Sequence, residues 1–262
     1  MDTITKNECA GAFVEVAPSV DPTVMNAPRQ GQNRLVIVGA TGMVGGYALR
    51  YALDNPDVAA VTSIGRRRLG IIHPKLREVL HQDFSDCDPL EEVLSRQDGA
   101  IFCLGTYTGA VPDAEFYKVT VDYTVDFSRV LHTASPAAVF SFLSGNGADP
   151  TQRSRLAFAR YQGEAENALL ATGFPHVYIF RPGYIYPVQP RKEPNFSYRL
   201  LRAVYPAFRV LFPNLVIPAD DLARAMVDAT LHGTGERNGP IFENPDIRAM
   251  ADAGTTQTKS HG

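Results

Sequence analysis

The 262-residue chain has no tryptophan and only three cysteines, Cys9, Cys87 and Cys103. Their odd count and wide spacing exclude a disulfide framework and a C-x-x-C redox or zinc pair, and point to a reducing, cytoplasmic compartment. Cys103, inside the apolar stretch Ala100–Leu104, reads as a buried strand residue rather than a reactive thiol. The six histidines show no paired spacing, so no metal site is expected. With 25 basic against 28 acidic side chains there is no basic footprint for nucleic acid. No segment has the apolar length to cross a bilayer, and the N-terminus lacks the basic and apolar regions of a signal peptide; stable membrane insertion is not expected. Residues 1–32 contain Pro18, Pro22 and Pro28 without a sustained period and read as a disordered tail. The stretch 249–262 loses its apolar residues and reads as a second one. A single folded unit over residues 33–248 remains.

Within that unit, apolar strands alternate with helical patterns, the signature of a parallel sheet covered on both faces. Strands are expected at Leu35–Val38, Val61–Ile64, Glu78–His81, Ala100–Leu104, Ala138–Leu143 and His176–Phe180. Helices are expected at Met43–Leu53, Pro89–Leu94, Ala114–His132 and Ser154–Ala171. This order builds an α/β, doubly wound, dinucleotide-binding domain, with ligands at the carboxyl ends of the strands.

The most informative stretch is Gly39-Ala40-Thr41-Gly42-Met43-Val44-Gly45, directly after the first strand. Gly39 permits a tight turn, Gly42 lets backbone approach a diphosphate, and Gly45 lets the next helix pack close to the sheet. The diphosphate then meets free N–H groups at the positive end of the helix starting near Met43. The second strand ends in Gly65-Arg66-Arg67-Arg68, where an acid would take the ribose 2′-hydroxyl of NAD. Arg66 and Arg67 instead match the 2′-phosphate of NADP, since a guanidinium fork pairs with phosphate oxygens. After the third strand, two readings stay open. Asp83 accepts from an adenine amino group while Phe84 flanks the ring, or the two are a helix N-cap and a core aromatic. Leu104, Gly105 and Thr106 close the fourth strand, where backbone can lie along the cofactor and Tyr107 brings a phenol near the reacting ring. Arg181, Pro182 and Gly183 close the sixth and border the nicotinamide. Asp220 reads as the N-cap of a terminal helix within Ile217–Val227.

Together with Leu143-Ser144-Gly145-Asn146-Gly147-Ala148-Asp149 and Gly163-Glu164-Ala165-Glu166, these ordered motifs resemble the atypical short-chain dehydrogenase/reductase superfamily. The resemblance is to its branch of Tat-interacting-protein-like and NmrA-like NAD(P)-binding proteins, from about Leu35 to about Leu231. It implies a Rossmann fold, bound NADP and a small helical substrate cover around residues 190–217. For the aromatic, basic stretch Tyr198–Phe212, a membrane-surface helix or a dimer face remain alternatives, and a homodimer is an open possibility. For active members the resemblance also implies a serine near Ser144, with a tyrosine and a lysine four residues apart on the next helix.

That last pair is where the chain departs. Gly163-Glu164 aligns Phe158 with the tyrosine and Gln162 with the lysine. Phenylalanine has no proton to give, and glutamine has no charge with which to lower a phenol's pKa or hold the nicotinamide ribose. Tyr161 lies within a turn of Phe158 and is the candidate displaced phenol; Arg155 is the candidate source of positive charge. The expected function is an NADP(H)-dependent oxidoreductase on a small carbonyl or alcohol, with Ser144, Tyr161 and Tyr107 as candidate catalytic residues. The alternatives are a non-redox isomerase or cyclase on the same scaffold, or an NADP-sensing binding protein.

Overall fold

The computed structural model describes residues 32–107, 109–188, 213–235 and 239–259. The expected N-terminal tail and most of the expected substrate cover lie outside these residues. The first strand, β1 (Asn33–Val38), leads into α1 (Met43–Asp54) and β2 (Val58–Gly65). Then come β3 (Leu76–Leu80), α2 (Glu91–Leu94) and β4 (Gly99–Phe102). Next, α3 (Asp113–Tyr117) runs through a π-turn (Lys118–Asp122) into α4 (Tyr123–Ala134). The chain continues through β5 (Val139–Leu143), α5 (Ala157–Ala171), β6 (His176–Arg181) and β7 (Tyr184–Tyr186). It ends with β8 (Val216–Pro218), α6 (Ala219–His232), β9 (Ile241–Glu243) and α7 (Asn244–Lys259).

Seven strands form one parallel sheet in the order β3-β2-β1-β4-β5-β6-β9, while β7 and β8 pair separately. This is the Rossmann arrangement, with the strand order reversing between β1 and β4. The period of two in β1 explains the layering. Leu35 and Ile37 join α1, α6 and α7 through Ala48, Leu49, Leu222, Met226 and Ile247. Val36 and Val38 face the opposite layer, with Phe102, Phe140, Phe142, Phe127 of α4 and Leu169 of α5. Both faces of the sheet are therefore dry, as an all-parallel sheet requires.

Three details differ from the sequence expectation. A seventh strand, β9, extends the sheet beyond β6; with three residues it carries too little periodicity to be read locally. Residues 249–259, expected to be disordered, continue α7, held through Ile247 and Ala251, which are buried four residues apart. Asp220 is not the N-cap of α6. Pro218 holds that place, and the Asp220 carboxylate accepts from the Asp221 N–H inside the first turn, at 3.0 Å.

Helix α5 crosses the loop after β5 at the closest approach in this part of the fold. A Cβ on Gly163 would stand 1.9 Å from the carbonyl oxygen of Asp149, which is backbone and cannot swing away. Gly163→Ala is expected to cost about 1–3 kcal/mol through overpacking, a loss of several degrees in melting temperature. Calorimetry of the variant beside Gly46→Ala, whose added Cβ would meet nothing closer than 3.2 Å, checks this.

Candidate functional site

At the switch between β1 and β4 the backbone forms a cradle. Gly39 has φ +86°, a left-handed conformation, and a Cβ there would lie 2.6 Å from the Cys103 carbonyl oxygen. The Gly42 N–H donates to the Gly39 carbonyl at 2.8 Å, which closes the turn. At Gly45 a Cβ would stand 2.4 Å from that same carbonyl. Helix α1 thus starts against the strand end. Its N-cap, Gly42, makes no side-chain cap, and no acid occupies the first turn. The N–H groups near Thr41, Met43 and Val44 are left for an anion. A dinucleotide diphosphate fits this cradle, because only glycines leave the close approaches open.

The strand ends on either side supply the other expected groups. Arg66 and Arg67 are exposed beyond β2, and Gln82 steadies the turn by donating to the Arg66 carbonyl at 3.0 Å. Asp83 accepts from the Ser85 hydroxyl at 2.6 Å and the Ser85 N–H at 3.1 Å, and pairs with Lys118 at 3.3 Å. The Ser85 bonds, with Lys118 adding to them, hold its carboxyl down at about 2. Phe84 corrects the adenine-flanking expectation: it is fully buried, edge-on to His81 and tilted against Tyr123, so its ring belongs to the core. Beyond β4, Leu104 packs on the core, Gly105 is exposed and Thr106 half-buried, while Tyr107 is exposed. Cys103, expected as a buried strand residue, lies just past β4 and is half-buried, and desolvation pushes its thiol up to about 12.

On the other side of the switch, β5, β6 and α5 build a polar cluster around Ser144. Its N–H donates to the Phe180 carbonyl at 2.9 Å, which fixes the residue at the end of β5. Its hydroxyl donates to Glu166, and a second acceptor, the side-chain oxygen of Gln162, lies 3.2 Å from it. Glu166 is 1% exposed and accepts from Arg181 through both Nε, at 2.9 Å, and Nη2. Glu166 was not singled out from the sequence as a site residue. Helical spacing held the signal, since Phe158, Gln162 and Glu166 fall at i, i+4 and i+8 on one face of α5. Phe158 completes that face: a Cβ on Gly145, next to Ser144, would meet the tip of its ring at 2.6 Å. Gln162 thus lies beside Ser144, and Phe158 lies against the neighbouring Gly145.

One expectation is corrected here. Tyr161 does not turn toward Ser144; its hydroxyl donates to Asp113 at 2.7 Å and its ring packs edge-on to Tyr117 at 4.9 Å. The Asp113 bond raises its pKa and keeps the phenol protonated. The guanidinium of Arg181, in the loop expected to border the nicotinamide, is engaged by Glu166. Pro182 is buried and accepts from the Asn146 N–H at 2.9 Å, while Gly183 donates to Asn244 at 3.1 Å. Both hold the loop after β6 in place. Arg155 is exposed. Among the described residues, no group of three His, Cys, Asp or Glu could hold a metal ion, and no helix is long and apolar enough to cross a membrane.

Comparison with known proteins gives a consistent answer. No family model matches the chain. The protein fmp52 of Aspergillus niger is 31% identical over 157 residues, 58% of this chain and 66% of that protein, just under two thirds of its length. The protein HTATIP2 of Rattus norvegicus is 31% identical over 220 residues, covering 82% of this chain and 88% of that one. Among solved structures, the enzyme WbmG of Bordetella bronchiseptica, in complex with NAD, superposes with a TM-score of 0.61. At 14% identity, over 88% of this chain and 80% of that one, it shows a shared fold. Relatives from Aspergillus, Emericella, Lodderomyces and Candida are named as mitochondrial, which overturns the cytoplasmic expectation. Unpaired cysteines report a reducing environment and not which one.

Because its hydroxyl is bound to Asp113 away from Ser144, Tyr161→Phe is expected to leave both cofactor affinity and any turnover unchanged. Fluorescence titration and a rate assay on the variant check this; a loss of turnover would restore the displaced phenol. The motifs, the sheet order and these relatives agree: the chain belongs to the Fmp52 and HTATIP2 family, an atypical branch of the short-chain dehydrogenase/reductase superfamily.

Proposed function

We propose that the protein binds NADP(H) and acts as an oxidoreductase on a small carbonyl or alcohol, with a degenerate tyrosine–lysine dyad. The observation that carries this reading is the cradle at the switch point, where Gly39, Gly42 and Gly45 bring bare backbone and an uncapped helix end together. Gly105 and Thr106, one strand over, are positioned to follow the dinucleotide. When bound, the cofactor supplies or accepts the hydride. The chain's own residues do the rest. Helix α1 holds the diphosphate, Arg66 and Arg67 meet the 2′-phosphate, Gln162 faces the nicotinamide ribose, and Ser144 holds the substrate oxygen.

NADP rather than NAD follows from two exposed arginines where the fold places its ribose-binding acid. A charge-assisted hydrogen bond contributes about 1.5–3 kcal/mol, or roughly ten- to a hundredfold in affinity. NADPH is expected to bind correspondingly more tightly than NADH, and Arg66→Ala to remove most of that preference while sparing NADH. Titration of both cofactors decides it, and equal dissociation constants in the unmodified protein refute the assignment.

Phe158 and Gln162 set the rate. With a phenyl ring where a proton donor belongs, generic aldehydes and ketones are expected to be reduced slowly, since a positioned acid contributes about 10²–10⁴ in rate. Phe158→Tyr with Gln162→Lys places both groups on the face that already meets Ser144, and is expected to raise that rate. The same Phe158 favours a second reading, an NADP-sensing binding protein. Nicotinamide absorbance at 340 nm separates the two: no oxidation with any substrate, in native protein or double variant, supports the sensor.

A further inference from the structure

Ser144 has one proton to give and two groups beside it. Glu166, buried and engaged by Arg181 through two N–H groups, offers only acceptors. The Ser144 hydroxyl donates to it. With that proton committed, the Gln162 Oε1 that stands 3.2 Å from the Ser144 hydroxyl would be one acceptor facing another, so the planar amide is assigned the turned-over orientation of the same shape, with its nitrogen toward Ser144. Ser144 is then left with a single lone pair toward the cleft. Phe158, which completes the wall against Gly145, adds neither donor nor acceptor.

We propose that Glu166 is a positioning residue that fixes Ser144 as a hydrogen-bond acceptor, so that the cleft takes its ligand through a hydroxyl rather than a bare carbonyl oxygen. A carbonyl brought to the same point sets two acceptors against each other, and the Ser144 hydroxyl cannot turn to relieve this without abandoning the Glu166 carboxylate. Arg181 reinforces the bias. Its two N–H groups hold the Glu166 carboxylate in place, because separating a buried ion pair leaves an uncompensated charge on each side. The inference deepens the oxidoreductase reading and rests on it for the position of the ligand: of an alcohol and carbonyl pair, the alcohol is the form that Ser144 is set to hold.

Two measurements on the full chain test it. In the first, nuclear Overhauser contacts are sought between the Ser144 β-protons and the Gln162 side-chain amide protons. Their presence supports the fixed polarity, and their absence, with the Gln162 carbonyl toward Ser144, overturns it. In the second, cyclohexanol and cyclohexanone are titrated into the protein, with NADPH affinity measured beforehand. The alcohol is expected to bind about five- to tenfold more tightly, the scale of one neutral hydrogen bond, and Ser144→Ala to bring the two together. Equal or tighter binding of the ketone, no binding of either, or a preference that survives Ser144→Ala overturns the ligand class. If NADPH fails to bind, the oxidoreductase reading fails, while both measurements still decide the polarity of Ser144 on the protein alone.

Discussion

A carboxylate can sit inside a protein only if its charge is met, and the pairing of Glu166 with Arg181 is the condition on which the chemistry side of this cleft depends. The pair joins α5 to the end of β6, and the hydroxyl of Ser144 adds the end of β5 to the same anchor. Three consecutive elements are thereby held in one register. Breaking such a pair by removing one partner costs on the order of 3–5 kcal/mol, a large part of the marginal stability of a domain. The geometry around Ser144 is thus as rigid as the fold itself.

The two halves of the cleft are made of different material. On the β1 side the working groups are backbone N–H donors, exposed because Gly39 and Gly45 leave room that any Cβ would fill. On the β5 and β6 side they are side chains, and their roles follow from what each can donate or accept. Backbone cradles bind a charge common to many ligands, whereas side-chain clusters discriminate between ligands. The β1 side therefore suits a dinucleotide diphosphate, while on the other side the groups beside Ser144 and Gly145 are Gln162, Glu166 and Phe158.

The same division explains what could be read from the chain alone. The cradle was legible because turn chemistry is local: a β-branched strand, a glycine and a helix start form one continuous stretch from Leu35 to Leu53. The layering was legible in the alternation of apolar strands with helical patterns, which calls for a parallel sheet covered on both faces. Side-chain direction was not legible. Phe84 sits in the core and Tyr161 turns to Asp113, although sequence position alone placed both near a ligand. Glu166 was missed for the converse reason, since a carboxylate on a polar-looking helix reads as solvated until its partner on β6 is known. The short strands β7, β8 and β9, three residues each, depend on long-range pairing and leave no periodic trace.

The tight crossing at Gly163 bears on how such a protein can change over time. Residue 163 cannot carry even a methyl group without moving backbone, whereas residues 158 and 162 of the same helix meet Gly145 and Ser144 through their side chains. A substitution at 163 therefore disturbs the shape, whereas one at 158 or 162 exchanges the groups around Ser144. A lineage built on this frame can lose, dampen or redirect its chemistry in one or two substitutions and keep the same outline. Resemblance in outline is then a poor guide to reaction, and the identity of residues 158 and 162 is a better one.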